Sequence, residues 1–195
     1  MLKPNYQGVI FDLDGTLMSS QLDFQAIRNA IGCPPQVDIL AFVAAGGSHS
    51  ARLLAKVVDF ELADAEQASV LDGVLDTLDH FSALKLPMAI VTRNCRAASE
   101  LKLARGKLPI SLLLSREDAP AKPDPTALLQ VASQWQLCPT QCLYVGDYLY
   151  DIQAASNAKM ASCLYAPEEM PDYAHLADWR ISDFRQLISI VASGV

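Results

Sequence analysis

Four aspartates stand at the ends of apolar runs, where carboxylates do chemistry. In VIFDLDGTL (9–17), Asp12 comes directly after Val9, Ile10 and Phe11, and Asp14 follows two residues on. In VGDYLYD (145–151), Asp147 follows an apolar run and Gly146, and Asp151 comes four residues later. A carboxylate so close to a buried run is partly desolvated and needs a cation or hydrogen-bond donors. Asp14-Gly15 also reads as an ordinary turn pair, and Asp147 or Asp151 as a helix cap. Taken together, the two strand ends bring four carboxylates to one edge of a sheet. Their repulsion calls for a divalent cation, and an oxygen-only set suits Mg²⁺.

Two further features fit an anion beside that cation. An apolar run ends in Thr92, followed by Arg93 and Asn94 (IVTRN, 90–94). A hydroxyl and backbone N–H groups at a strand-to-helix junction would cradle an anion; a threonine that merely ends a strand is the plainer alternative. Lys122 lies in PAKPDPTALL (120–129), with Pro123 fixing the backbone beside it. Taken alone it reads equally well as a surface lysine.

These residues must be positioned by something, and the hydropathy pattern says what. Near-continuous apolar runs at 8–14, 88–92, 110–114, 142–147 and 161–165 have strand length, as in a parallel sheet covered on both faces. Helical patterns lie between them. Leu128, Val131, Ala132 and Trp135 repeat at i, i+3, i+4, i+7, as do Phe184, Leu187, Ile188 and Val191, with a shorter set at Val74, Leu78 and Phe81. The alternation predicts an α/β, doubly wound parallel sheet of Rossmann-like type.

Between Leu17 and Asp72 the alternation stops. Leu22, Ala26 and Ala30 suggest one helical face, 49–58 a second helix and 65–71 a third, with a turn at Gly46-Gly47. The division expected is an α/β core over 1–17 and 72–195, with a small inserted helical cap over 18–71. On that cap, Arg52 could clamp a carboxylate or a second phosphate.

The 195 residues fit one domain with a small insertion. A net charge of −7 without basic clusters argues against nucleic acid and acidic membrane surfaces. No apolar run nears the roughly 18 residues of a membrane span. Five cysteines (Cys33, Cys95, Cys138, Cys142, Cys163), an odd count, read as free thiols of a cytoplasmic protein. Cys138 and Cys142 lack the further ligands of a zinc set. The sequence allows a homo-oligomer but does not indicate one.

The ordered set DLDGT (12–16), Thr92, Lys122 and GDYLYD (146–151) resembles the haloacid dehalogenase-like hydrolase superfamily over residues 8–165, nearest its phosphoglycolate phosphatase-like branch. The resemblance implies a strand order of 5-4-1-2-3 and a Mg²⁺-dependent phosphatase acting on a small phosphorylated substrate. Asp12 would be the nucleophile, forming an aspartyl-phosphate, and Asp14 the acid and base. Asp12, Asp147 and the main-chain carbonyl of Asp14 would hold Mg²⁺, with Asp151 supporting them. Thr92 and Lys122 would bind the transferring phosphoryl group, with Arg93 and Asn94 beside it. Tyr148 departs from the small residue often found after the Gly-Asp pair; it would line the substrate pocket or pack on the cap. A phosphomutase and a non-catalytic phosphate-binding protein are the competing readings. Dehalogenation is disfavoured by the acid at position 14.

Overall fold

The computed structural model describes residues 6–192; the ends of the expected core, 1–5 and 193–195, lie outside them. Six strands form one parallel sheet. They are β1 (Gly8–Phe11), β2 (Met88–Val91), β3 (Leu112–Leu114), β4 (Cys142–Gly146), β5 (Ala161–Tyr165) and β6 (Trp179–Ile181). The order across the sheet is β3-β2-β1-β4-β5-β6, all neighbours parallel. That is 5-4-1-2-3 read from the other edge, with a sixth strand added beside β5. The sequence reading missed β6 because it has only three residues, one of them the exposed Arg180.

Among the described residues eight α-helices connect and cover the strands: α1 (Phe24–Ile31), α2 (Ile39–Ala44), α3 (Ser50–Ala65), α4 (Val74–Ala83), α5 (Arg96–Gly106), α6 (Thr126–Gln134), α7 (Leu149–Ala158) and α8 (Gln186–Ala192). Every residue of β1 and β4 is buried, which explains their unbroken apolar sequences. Side chains alternate between the two faces. Val9 and Phe11 join Leu78, Phe81, Phe184 and Leu187 in one layer. Ile10 joins Leu128, Val131, Tyr144 and Ala155 in the other.

The stretch between β1 and α4 is helical, as expected, with a small apolar cluster of its own: Ile27, Ile31, Ile39, Val43 and Val57. Asp23 and Asp38 start α1 and α2 by accepting the N–H groups of Ala26 and Ala41 at 2.9 and 3.0 Å. Two local expectations fail and a third is exceeded. The inward face of α1 is Ile27 and Ile31, not Leu22, Ala26 and Ala30, because the larger β-branched side chains win the apolar interface. The helix expected at 49–58 continues to Ala65. No helix forms over 65–71. Instead the two chain segments joining the helical block to the sheet pair with each other: Met18 bridges Val70, and Ser19 donates to Ser69 O at 2.8 Å. Such pairing commits those backbone groups to a bridge rather than a helix. At the site strands, β1 ends at Phe11, so Asp12 to Asp14 lie beyond it, and β3 keeps only the last three residues of 110–114.

Candidate active site

Strands β1 and β4 are neighbours, and their carboxyl ends mark the place where an open α/β sheet binds its ligand. Asp12 follows β1 and Asp147 follows β4, while Asp151 sits in the first turn of α7. One oxygen from each of Asp12, Asp147 and Asp151 lies within 4.8 Å of the others. Two glycines permit this. A Cβ on Gly15, whose φ is +74°, would sit 2.3 Å from Asp147 Oδ2. A Cβ on Gly146 would sit 2.3 Å from Asp151 Cγ. Only a residue without a side chain lets these carboxylates lie against the backbone.

Lys122 is fully enclosed in this group. Its ammonium lies 2.7 Å from Asp12 Oδ1 and 2.6 Å from Asp151 Oδ1, and donates to the Tyr144 hydroxyl at 2.8 Å. The Tyr144 hydroxyl is 3.0 Å from the same Asp151 oxygen. Asp151 Oδ2 accepts the Tyr148 N–H at 3.0 Å, and Thr16 donates to Asp147 at 3.4 Å. Three carboxylates thus face one ammonium, a formal excess of two negative charges. Burial pushes Asp12 up to about 8, with Asp151 and Asp147 adding to the rise and Lys122 opposing it. Burial and then Asp151 push Asp147 up to about 7. Burial works against the charge on Lys122, but Asp12 and Asp151 outweigh it and raise its pKa. Crowded, desolvated carboxylates of this kind fit a divalent cation with oxygen ligands.

Asp14 is held separately. Its Oδ1 pairs with Lys102 of α5, and its Oδ2 accepts from the Asn94 side chain at 2.7 Å. Burial raises its pKa, against the pull of Lys102. The anion cradle expected after β2 is therefore rearranged. The Asn94 side chain is turned to Asp14. The N–H groups of Asn94, Cys95 and Arg96 go to Thr92 Oγ1, Glu61 and Glu117 at 3.1, 3.2 and 3.0 Å. Thr92 is buried and lines the cavity, with its hydroxyl oxygen accepting the Asn94 N–H.

A cavity of about 690 Å³ opens above these groups, between the sheet edge and α1–α3. Asp12, Asp14, Thr92, Arg93, Lys122, Asp147 and Asp151 line its floor; Leu22, Ile27, Arg28, Val37 and Val57 line the helical side. Arg93 spans the two, 2.5 Å from Asp38 at the start of α2 and over the Tyr150 ring at 4.7 Å. Tyr148 is half exposed on the cavity wall, with ring contacts to Tyr150 and Tyr173 rather than to the helical block. Arg52 is not brought to the site. It is exposed on α3 and absent from the cavity lining, because Val57, Glu61 and Asp64 form that helix's buried face and Arg52 points elsewhere.

A family model described as haloacid dehalogenase-like hydrolase matches residues 19–165. The chain belongs to the haloacid dehalogenase-like hydrolases. Its relatives place it in the phosphoglycolate phosphatase-like branch. It is 31% identical over 182 residues to a phosphoglycolate phosphatase of Xylella fastidiosa, covering 79% of this chain and 77% of that one. It is 29% identical over 221 residues to the N-acetylmuramic acid 6-phosphate phosphatase of Pseudomonas aeruginosa, covering 98% and 97%. A hydrolase from Pseudomonas syringae shares the fold with a TM-score of 0.78 at 20% identity, over 94% of this chain and 96% of that one. The enzyme's described residues include no helix long and apolar enough to cross a membrane.

Sequence reasoning missed Lys102, Asp64, Tyr144 and the buried Arg116–Glu61 pair. A lysine in ELKLARGK reads as a solvated helix face, and no spacing tied it to the four aspartates. Tyr144 had a signal: a hydroxyl inside an otherwise apolar buried strand needs a polar partner.

Proposed function

We propose that this hydrolase is a phosphatase that cleaves a small phosphorylated metabolite through an aspartyl-phosphate on Asp12. The observation that carries this reading is the buried Asp12 carboxylate on the cavity floor, 2.7 Å from Lys122 and flanked by Asp147 and Asp151. The named phosphatases among the relatives support the same class.

In the first half-reaction an Asp12 oxygen bonds to phosphorus as the bond from phosphorus to the leaving oxygen breaks. Asp14 gives its proton to that oxygen. In the second, Asp14 takes a proton from a water that attacks phosphorus, and phosphate leaves as Asp12 is restored. Thr92 donates to the phosphoryl oxygens, and Lys122 offsets charge on them and on Asp12. Mg²⁺ would be held by Asp12, Asp147 and the main-chain carbonyl of Asp14, with Asp151 behind them. When bound, it supplies neutralisation of the charge crowded among the phosphate and the carboxylates.

Residues 18–71 act as the cap that meets the leaving group. A cavity of about 690 Å³ has room for a sugar-sized leaving group, well beyond a two-carbon acid. The five free thiols suit a cytoplasmic enzyme.

The test is a phosphate-release screen over phosphorylated sugars and acids with Mg²⁺, using Asp12→Asn as control. Release by the wild-type protein, abolished by EDTA and restored by Mg²⁺, is expected. Turnover undiminished after exhaustive EDTA treatment would remove the cation from the mechanism. Sugar-phosphate isomerisation without release would favour a mutase.

A further inference from the structure

Lys102 is a fully buried lysine outside the phosphate-binding group. It projects from α5 with no exposed surface, and two carboxylates clasp its ammonium: Asp14 Oδ1 and, at 2.5 Å, Asp64 Oδ2. Asp64 lies in the last turn of α3, the helix that leads out of the helical block. Its other contacts run to the segment that leads in: Gln21 N–H donates to Oδ1 at 2.6 Å and Ser20 Oγ to Oδ2 at 3.0 Å. One ammonium therefore joins the carboxylate at position 14 to both chain segments entering and leaving the cap. A buried cation held between one buried carboxylate, Asp64, and one partly buried carboxylate, Asp14, is costly unless the geometry is well satisfied, and deleting one partner is strongly disruptive. Here every group is bonded, so the cluster is built to hold positions.

Resting on the reading of Asp14 as the acid for the leaving oxygen, we propose that Lys102 is a positioning residue. It fixes the Asp14 carboxylate on the cavity floor and ties it, through Asp64, to the base of the cap. Lys102 itself reaches no substrate. Two carboxylate oxygens of Asp14 need two anchors: Asn94 supplies one at 2.7 Å and Lys102 the other. With Lys102 gone, Asp14 keeps a single anchor and swings. A misplaced acid penalises only substrates whose leaving oxygen must be protonated as it departs.

That dependence gives a readout that a merely structural role would not move. Wild type, Lys102→Met, Lys102→Arg and Asp14→Asn are compared on an alkyl phosphate, glycerol phosphate, and on p-nitrophenyl phosphate, whose phenolate leaves without help. For Lys102→Met we expect kcat/KM to fall about 100-fold or more on the alkyl ester and less than about tenfold on the aryl ester. Lys102→Arg, which keeps the charge but shifts the donors, should show the same bias with smaller losses. It also carries the test if the methionine variant does not fold. Adding Lys102→Met to Asp14→Asn should cost little further on the alkyl ester, because both changes remove one function. Equal losses on both esters in the Lys102 variants, with Asp14→Asn still biased against the alkyl ester, would overturn the role of Lys102 alone. An unbiased Asp14→Asn would instead remove the acid reading on which it rests.

Discussion

Among its described residues the enzyme buries two lysines, Lys122 and Lys102, and each is clasped by two carboxylates, one of them from the DLDGT segment. Lys122 joins Asp12 to Asp151, both from the sheet side. Lys102 joins Asp14 to Asp64, one from the sheet side and one from the helical block. The surroundings differ in charge. Around Lys122 a third carboxylate, Asp147, gives a formal excess of two negative charges when all three are ionised, and burial with this crowding pushes Asp12 and Asp147 up to about 8 and 7. Around Lys102 the two carboxylates are further satisfied by neutral donors from Asn94, Ser20 and Gln21. The same ion-pair motif serves opposite ends. The first is left short of positive charge, which suits binding a cation and a nucleophilic attack on phosphorus. The second is closed, which suits holding a side chain still.

The largest effect expected falls on the first cluster. With Asp12 as the proposed nucleophile, Asp12→Asn should lower kcat by at least about 10⁴-fold, since only binding and electrostatics would be left. The same substitution takes one of three crowded carboxylates out of a desolvated site. Metal-free Asp12→Asn should therefore melt no lower than the metal-free wild type. A variant that melts well below wild type, as expected for a broken and needed ion pair, would erase the contrast between the clusters.

The first cluster was legible in the sequence apart from Tyr144, whereas of the second only Asp14 was. Asp12 and Asp147 announce themselves because a carboxylate directly after a buried strand has no cheap structural explanation. Lys122 and Thr92 gain weight from their order relative to those strands. Lys102 has no comparable signal: its partners are 88 and 38 residues away, and nothing local distinguishes it from the solvated lysines of other helices. The sheet was readable for the same reason as the first cluster, since β1, β2, β4 and β5 are buried on both faces. The helical block was read less well. Its short helices carry apolar residues on several sides, so Leu22, Ala26 and Ala30 looked as good a face as Ile27 and Ile31. The Met18–Val70 bridge that ends the helices after Ala65 is a contact between distant segments.

A second, smaller effect separates the clusters by pH. Asp12 and Asp147 have folded-state pKa values of about 8 and 7, against roughly 3.9 for an unfolded aspartate. Between those limits the folded, metal-free protein binds more protons than the unfolded chain. The contribution of these two groups to stability is greatest at low pH and is lost as pH rises through their folded-state values. Mg²⁺ needs the ionised carboxylates, so it restores most where they are least protonated. Thermal melts with EDTA or with saturating Mg²⁺ at about pH 5.5 and about pH 8 should show a clearly larger Mg²⁺-induced rise in Tm at the higher pH. Asp12→Asn should lose much of that difference, whereas Lys102→Arg should keep it. An equal rise at both values would mean that the cation does not bind where the charge excess lies.

The smallest effect belongs to a residue outside both clusters. Arg52 had the right chemistry for gripping an anionic leaving group, but it stands on the exposed side of α3. Arg93, by contrast, lines the cavity and already holds Asp38 across it. An exposed arginine with no ion pair among the described residues contributes little to stability, and one that does not line the cavity has no direct contact through which to select substrates. Arg52→Ala should change KM by less than about twofold for the best substrate found in the screen, with Tm within about 1 °C of wild type. A several-fold rise in KM confined to substrates with a second anionic group would show that the helical block closes further than this structure does, bringing α3's outer face over the cavity. The comparison of the two lysines would then extend to a moving part, because Asp64, on that same helix, would carry the motion to Lys102 and Asp14.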